Sequence, residues 1–118
     1  LFTAQDKWAQ QFVGKTWSAQ VDDIISTMPQ NVYITLDINA LQCDCSPGTG
    51  RINGGGLTLF QAIYLMDRVI TSGRSIVGFD ITEVVPNMEN KRDILAVARL
   101  LFKMCSIALK GIEAENVL

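Results

Sequence analysis

Two strand-like segments separated by a helix-like segment set the main limit on how this chain can fold. The segments NVYITLDIN, residues 31–39, and SIVGFDITEV, residues 75–84, are rich in β-branched and aromatic residues and poor in charge. That composition is typical of strands buried on both faces of a parallel sheet. A strand, a crossover helix and a second strand predict a right-handed βαβ unit, and hence an α/β fold.

Two further helices are predicted ahead of the first strand. Thr3, with Asp6 three residues later, is a capping signal for a short helix that ends at Gly14. The segment SAQVDDIISTMPQ predicts a second helix that stops at Pro29. Its apolar residues fall on one helical face: Val21, Ile24, Ile25 and Met28.

The crossover helix and the last helix have equally local signals. Thr58 and Gln61 form a capping box for the crossover helix. Asn90 and Asp93 are predicted to cap a long final helix that continues through Leu109. The apolar positions predicted for that helix are Ile94, Val97, Ala98, Leu101, Cys105 and Ala108.

The length of the chain and the order of its elements limit the number of domains and the size of the sheet. The chain has 118 residues and is 48% hydrophobic, which suits a single core and a single domain over residues 1–118. The predicted order is helix, helix, strand, helix, strand, helix. Two strands leave several apolar helical faces uncovered, so we expect this chain to supply only part of a larger sheet.

Charge and cysteine content exclude several classes of function. The ten basic residues are scattered and the net charge is −2, so no basic stripe offers a nucleic-acid surface. Charged residues interrupt the most hydrophobic segment, so no membrane span is predicted. The odd number of cysteines, Cys43, Cys45 and Cys105, favours a reducing compartment, the cytoplasm or an organellar matrix. Because the chain has no histidine, its chemistry must rest on carboxylates, amides, hydroxyls or thiols.

The glycine-rich loop over residues 40–57 invites several ligand hypotheses. Three of its glycines, Gly48, Gly50 and Gly54, have the spacing GxGxxxG, and no helix is predicted to start among them to bind a phosphate. No Gly-Lys-Ser/Thr follows, which argues against a P-loop. The two loop cysteines lack the further ligands of a closed zinc site. A surface loop without a ligand is the alternative, although ligands of parallel sheets bind where this loop begins.

The end of the first strand is a sharper candidate for a binding site. Side chains two apart on a strand point the same way, so Asp37 and Asn39 are predicted to project together into the crevice. Carboxylate and amide oxygens suit a hard divalent cation such as magnesium, calcium or manganese. The alternative is structural, because Asp and Asn commonly make Asx-type hydrogen bonds that end a strand and shape a turn.

Residues 32–105 carry several separate motifs: a strand ending in LDINAL, a PGTG loop, GGLT at a helix start, and a strand with DITEVVP. In this order and spacing they resemble the C-terminal part of the ureohydrolase family, the arginases, agmatinases and formimidoylglutamases. The resemblance implies a three-layer α/β/α fold with a parallel sheet. It also implies an active site at the strand ends, where a hydroxide that bridges two manganese ions attacks a guanidinium carbon.

The resemblance assigns roles to three residues. The first Asp of the family's Asp-x-Asp motif is a metal ligand and corresponds to Asp37, whereas the second Asp corresponds to Asn39. The Glu of the family's Glu-Val-x-Pro strand orients the guanidinium-type group of the substrate and corresponds to Glu83. A carboxylate there would pair with a planar cation through two hydrogen bonds. Without the resemblance, Glu83 is a strand-end carboxylate in solvent.

The chain departs from the family pattern in three ways. Asn39 replaces a carboxylate by a neutral amide, so we expect weakened metal binding. Arg51 puts a cation near the crevice, where it would oppose a cationic substrate. The family's other metal ligands lie in upstream motifs rich in histidine, which this chain lacks. We therefore predict that the chain alone is inactive.

Two hypotheses about the whole protein follow. In the first, the chain is the C-terminal portion of a ureohydrolase, and an N-terminal portion or a companion chain completes the manganese site. In the second, it is a catalytically inactive arginase-like subunit with a structural or regulatory role. Both fit a chain that begins at Leu1, and both lead us to expect a homo- or hetero-oligomer.

Overall fold

A computed structural model describes residues 1–42, 55–85 and 92–116, without the side chains of residues 92, 93 and 114–116. Four helices and two strands lie in these ranges: α1 (Ala4–Phe12), α2 (Trp17–Ser26), β1 (Asn31–Asp37), α3 (Leu59–Thr71), β2 (Ser75–Thr82) and α4 (Arg92–Asn116). A short 3-10 turn, Ile38–Ala40, follows β1 directly. The predicted order of elements is confirmed.

Several residues discussed above lie outside the described residues. They are Cys43, Cys45, Gly48, Gly50, Arg51, Gly54 and the predicted helix cap Asn90.

Local capping signals start the first and third helices as predicted. Thr3 and Asp6 form a reciprocal capping box at α1, and Thr58 and Gln61 form the same arrangement at α3. Gly14 follows α1 with a φ of 84°, a left-handed conformation that glycine adopts without steric cost. These helix boundaries depend on a few neighbouring residues, which is why the sequence alone predicts them.

The two strands form a parallel sheet that is covered by helices on one side. β1 pairs with β2 from Asn31 opposite Ser75 to Asp37 opposite Thr82, with an irregularity after Val32. Helices α3 and α4 pack on the covered side, and α2 packs against α3. The buried residues of the main core are Ile38, Leu41, Ala62, Met66, Leu100, Met104 and Ile107. The α/β class, the parallel sheet and the expectation of a partial sheet are confirmed.

The other face of β1 is mostly polar and exposed. The prediction that the strands are buried on both faces is therefore wrong for the described residues. The reason is a period-two alternation, in which Ile34 and Leu36 lie on the covered side between outward polar neighbours. The exposed residues of β1 are Asn31, Tyr33, Thr35 and Asp37. This uncovered side leaves room for the third layer that the family resemblance implies.

Helix α4 continues past the predicted end at Leu109 to Asn116. Of the apolar positions predicted for this helix, Leu101 and Cys105 are exposed. Instead, the buried residues of α4 are Leu100, Met104 and Ile107. Because α4 is apolar over much of its circumference, periodicity alone does not show which side meets the core. Across the described ranges, no helix is both long and apolar enough to cross a membrane.

Candidate active site

The carboxyl ends of β1 and β2 bring two of the predicted site residues to one edge of the sheet. Asp37 is the last residue of β1 and lies opposite Thr82, the last residue of β2. Glu83 follows Thr82 directly, and both Asp37 and Glu83 are exposed. Ligands of open parallel sheets bind at this edge, so the two carboxylates stand where a site is expected.

Glu83 has a left-handed backbone conformation, with a φ of 62°. Among the described residues it is the one non-glycine residue with a positive φ. Such a conformation costs a residue with a side chain about 1–3 kcal/mol, and it is enriched at ligand and catalytic sites. Sequence reasoning missed this feature because Glu has no particular preference for the left-handed region.

The turn after β1 separates the two residues that were predicted to bind a metal together. Oδ1 of Asp37 accepts a hydrogen bond from the backbone N–H of Asn39 at 2.8 Å, which caps the 3-10 turn. Asp37 stays exposed, whereas Asn39 is 9% exposed. The prediction that both side chains project together is wrong, because the strand ends at Asp37 and its two-residue alternation stops there. The structural alternative, an Asx-type hydrogen bond, is present.

Asn39 instead lines a mostly apolar cavity of about 660 Å³. The cavity lies between the start of the chain, α2 and the segment that leads into α3. Its apolar lining includes Phe2, Trp17, Ile24, Leu57 and Leu65. Asp37 and Glu83 are not part of this lining, so the cavity and the exposed carboxylates are separate features.

A buried lysine joins α1 to the start of α3. Lys7 is 3% exposed, and its Nζ donates hydrogen bonds to the carbonyl of Gly56 and to Oε1 of Gln61, both at 3.0 Å. Burial lowers the pKa of Lys7 because the charged form loses its hydration. Gln61 Oε1 also accepts from the backbone N–H of Thr58, so Lys7 reinforces the cap of α3. Sequence reasoning missed this role, since lysines on amphipathic helices usually face solvent.

Asp80 links the two strands just before the carboxyl edge. Its Oδ2 accepts a hydrogen bond from the hydroxyl of Tyr33 at 2.8 Å, and its Oδ1 accepts one from Thr35 at 2.7 Å. The hydrogen bond to this carboxylate raises the pKa of Tyr33. Sequence reasoning also missed this role of Asp80. The alternation of polar residues in β1 places Tyr33 and Thr35 on one face of the strand, where both can reach a carboxylate of the neighbouring strand. These two hydrogen bonds hold β1 and β2 together just before Asp37 and Glu83.

The described residues do not complete a metal centre. Within them, no three Cys, Asp or Glu side chains come close enough together to hold an ion. At the carboxyl edge Asp37 offers one hard oxygen ligand, and Asn39 lies in the apolar cavity instead. A manganese site of the kind implied by the family resemblance does not fit these residues alone.

A family sequence model that matches most of the chain shows which family it belongs to. Residues 2–106 match the sequence model of the arginase family. The chain belongs to the arginase family. It is 33% identical over 94 residues to N(1)-aminopropylagmatine ureohydrolase from Thermus thermophilus, covering 80% of this chain and 31% of that protein. It is 42% identical over 97 residues to an agmatinase from Cronobacter sakazakii, covering 79% of this chain and 30% of that protein.

Solved structures support the same assignment to the arginase family. Proclavaminate amidino hydrolase from Streptomyces clavuligerus superposes with a TM-score of 0.64 at 27% identity, over 90% of this chain and 35% of that chain. A putative agmatinase from Clostridium difficile superposes with a TM-score of 0.67 at 21% identity, over 93% of this chain and 42% of that chain, which shows a shared fold. The chain spans about a third of the length of the curated relatives that it matches. The ureohydrolase resemblance is confirmed.

Proposed function

We propose that this arginase-family chain is the C-terminal portion of a ureohydrolase domain and carries part of its active site. The observation that supports the proposal is the placement of Asp37 and Glu83 at neighbouring strand ends. In this proposal residues 1–118 belong to one α/β domain, and an upstream portion or a companion chain supplies the remaining strands and metal ligands. The match covers only 31% of the Thermus thermophilus relative, which is consistent with such a missing portion.

Glu83 is proposed to bind and orient the substrate. A guanidinium or formimino group is a planar cation, and a carboxylate meets it with two parallel hydrogen bonds. Glu83 is exposed at the carboxyl edge, and its left-handed backbone turns the side chain away from the direction that a continued strand would give. Paired hydrogen bonds of this kind fix the plane of the group whose C–N bond is hydrolysed.

Asp37 is proposed to supply one oxygen ligand to manganese. A carboxylate keeps further lone pairs when one of them accepts a hydrogen bond, so the bond from Asn39 does not prevent ligation. Manganese, when bound, supplies the activation of the attacking water. Since the described residues provide one ligand, the remaining coordination belongs to other parts of the protein.

The roles are tested in the full-length protein that contains this chain. We expect Asp37→Asn to weaken manganese binding at least about tenfold, because even residues that merely support metal ligands cost that much when changed. We expect Glu83→Gln to leave manganese affinity unchanged but to lower kcat/KM for urea release about thirtyfold or more. Calorimetry with manganese and a urea assay measure the two effects.

Asp67→Asn is the matched control for these substitutions. This substitution also removes one carboxylate. Asp67 lies in α3 and pairs with Lys110 of α4, and it is not one of the proposed site residues. Both manganese affinity and kcat/KM should stay close to those of the wild type. An Asp37→Asn protein that binds manganese as tightly as the control would remove Asp37 from the metal site.

Asn39 is a weakened metal position in this proposal, as the family resemblance implies. If its side chain reaches the metal in the full-length protein, Asn39→Asp should bind manganese more tightly than the wild type, since it adds a negative charge. The buried position of Asn39 favours a smaller effect than at Asp37. Equal manganese affinity of the two proteins, measured by calorimetry, excludes Asn39 as a ligand.

The second candidate function is a catalytically inactive arginase-like subunit. It is favoured by Asn39, a neutral amide that is buried and lines a mostly apolar cavity, whereas Asp37 is exposed at the carboxyl edge. In that case the full-length protein binds no stoichiometric manganese and releases no urea from guanidino compounds. Stoichiometric manganese together with ureohydrolysis would eliminate this alternative.

A further inference from the structure

Two consecutive residues of α1 contact residues 55–57, named here the entry segment of α3. Lys7 is buried, and its Nζ donates hydrogen bonds to the carbonyl of Gly56 and to Oε1 of Gln61, both at 3.0 Å. The next residue, Trp8, lies against Gly55, because a Cβ added at Gly55 would be 3.0 Å from Nε1 of Trp8. The Nζ of Lys7 also lies 5.0 Å from the centre of the Trp8 ring, near enough for a cation–π contact. Helix α1 therefore holds the entry segment through side chains that are distant from it in sequence.

The entry segment in turn contacts the turn that follows β1. Leu57 donates its backbone N–H to the carbonyl of Ala40 and accepts a hydrogen bond from the N–H of Gln42, both at 2.9 Å. Gly56 lies so close to the backbone of Ala40 and Leu41 that a side chain would not fit between them. The entry segment and the turn therefore form one hydrogen-bonded unit.

The same turn orients the carboxylate at the end of β1. Oδ1 of Asp37 accepts a hydrogen bond from the N–H of Asn39 at 2.8 Å, and the N–H of Leu41 donates to the carbonyl of Ile38 at 3.2 Å. A displacement of the turn moves the N–H that Asp37 accepts from, and with it the carboxylate. Hydrogen bonds thus connect the turn at Asp37 with the entry segment that Lys7 holds.

We infer that Lys7 is a positioning residue for the carboxyl edge of the sheet, because it holds the entry segment and the turn that orients Asp37. Both hydrogen-bond partners of Lys7 are neutral oxygen acceptors. Burial of an ammonium group costs free energy, and an apolar side chain of similar size would fill the same space without that cost. The contacts therefore favour a role in holding the entry segment over a role in stabilising the core.

Hydrogen exchange of single amides tests the structural part of the inference. In the full-length protein, Lys7→Met should make the N–H groups of Asn39, Gln42 and Leu57, named here the edge amides, exchange about tenfold faster or more, because a hydrogen bond to a charged group is worth at least that factor. Methionine is a long, unbranched residue with high helix propensity, so α1 itself should persist.

The core of α4 provides the internal reference for the exchange measurement. Amides between Leu100 and Ile107 lie in the main core and exchange through global unfolding. If Lys7 only stabilised the fold, Lys7→Met would accelerate the reference amides and the edge amides by the same factor. A positioning role requires that the edge amides accelerate more.

Two further variants separate the hydrogen bonds of Lys7 from the mere loss of a lysine. Lys15→Met is the matched control, since the Nζ of Lys15 pairs with the exposed Asp23, and its edge amides should exchange as in the wild type. Lys7→Arg keeps a cation with several N–H donors. Its edge amides should therefore exchange at rates closer to the wild type than those of Lys7→Met.

Urea release tests the catalytic part, which rests on the proposed function. Lys7→Met should lower kcat/KM about tenfold or more, because small misplacements caused by distant substitutions have large effects on rate. Lys15→Met should leave kcat/KM unchanged. If Asp37→Asn is as active as the wild type, the proposed role of Asp37 fails, and the edge amides still decide the role of Lys7.

Three results would overturn the inference. Edge amides of Lys7→Met that exchange at the wild-type rate, or faster only by the factor seen in α4, show that Lys7 does not hold the turn. Equal exchange in Lys7→Arg and Lys7→Met shows that the hydrogen bonds of Lys7 are not the cause. Full kcat/KM of Lys7→Met, in an assay where Asp37→Asn is impaired, shows that Lys7 does not position the site.

Discussion

At the scale of single residues, Asp80 determines the ionisation of Tyr33. The tyrosine hydroxyl donates to Asp80, so removing its proton would place two negative oxygens next to each other. The pKa of Tyr33 is accordingly raised from its ordinary value of 10.0, with the hydrogen bond to Asp80 as the main cause and burial and the charge of Asp80 as smaller ones. Because the folded value is the higher one, the stability from this bond is complete below about pH 10 and is lost as the pH rises through the folded pKa.

This arrangement predicts that Asp80→Asn lowers the pKa of Tyr33 toward its ordinary value. The measurement is an absorbance titration at about 295 nm in a Tyr64→Phe background, which leaves Tyr33 as the only tyrosine. Thr35→Val is the control, because it removes the other hydrogen bond to Asp80 and leaves the Tyr33 bond in place. An unchanged titration midpoint in Asp80→Asn would show that the carboxylate does not determine this pKa.

Sequence reasoning placed some site residues correctly and misplaced others for physical reasons. Strand composition predicts both strands, but each strand ends two residues earlier than predicted, at Asp37 and at Thr82, just before Glu83. The orientation of Asn39 was wrong, because one hydrogen bond from its own N–H to Asp37 turns the chain off the strand. The left-handed conformation of Glu83 was invisible, since it results from surrounding structure and not from a residue preference.

At the scale of elements, Gly56 allows the segment before α3 to pack against the turn after β1. A Cβ added at Gly56 would lie 2.5 Å from the carbonyl oxygen of Ala40 and 2.8 Å from the backbone carbon of Leu41. The backbone of Leu57 donates to Ala40 here, and Leu57 accepts from Gln42. Backbone atoms cannot give way as a side chain does, so this contact requires glycine.

We expect Gly56→Ala to destabilise the protein by about 1–3 kcal/mol, the usual cost of overpacking. Chemical denaturation measures the change in the free energy of unfolding. Gly111→Ala is the matched control in α4, because its Cβ would meet only the flexible end of the Ile70 side chain at 2.8 Å. Alanine also favours a helix over glycine, so the control should be neutral or slightly stabilising. Equal destabilisation of both variants would contradict the argument.

Helix starts are predictable from the sequence because capping is local, whereas the buried side of a helix is not, because it depends on packing. The start of α3 follows from Thr58 and Gln61, which are neighbours in the chain. The buried side of α4 does not follow from periodicity, since the helix has one apolar stripe toward the core at Leu100 and another outward at Phe102. Which stripe is buried depends on the partner element, and that information is not local.

At the scale of the whole molecule, the sheet has outward-facing backbone groups on both strands. β1 and β2 pair only with each other in the part of the chain that the structure describes. In a parallel pair, about half of the amides of each strand point away from the partner strand. A two-stranded sheet is small for a domain, whereas the proposed whole protein supplies further strands at one or both edges.

Hydrogen exchange distinguishes an extended sheet from an isolated pair of strands. In the full-length protein, the outward amides of at least one of the two strands should exchange about a hundredfold more slowly than in the 118-residue chain, because a neighbouring strand accepts their hydrogen bonds. Amides within α3 are the internal control, since their hydrogen bonds are made inside the helix in both proteins. Equal exchange of the outward amides of both strands in the two proteins would mean that no further strand joins this sheet. Asp37 and Glu83 would then stand at the edge of a two-stranded sheet, without the neighbouring strand ends that the proposed active site requires.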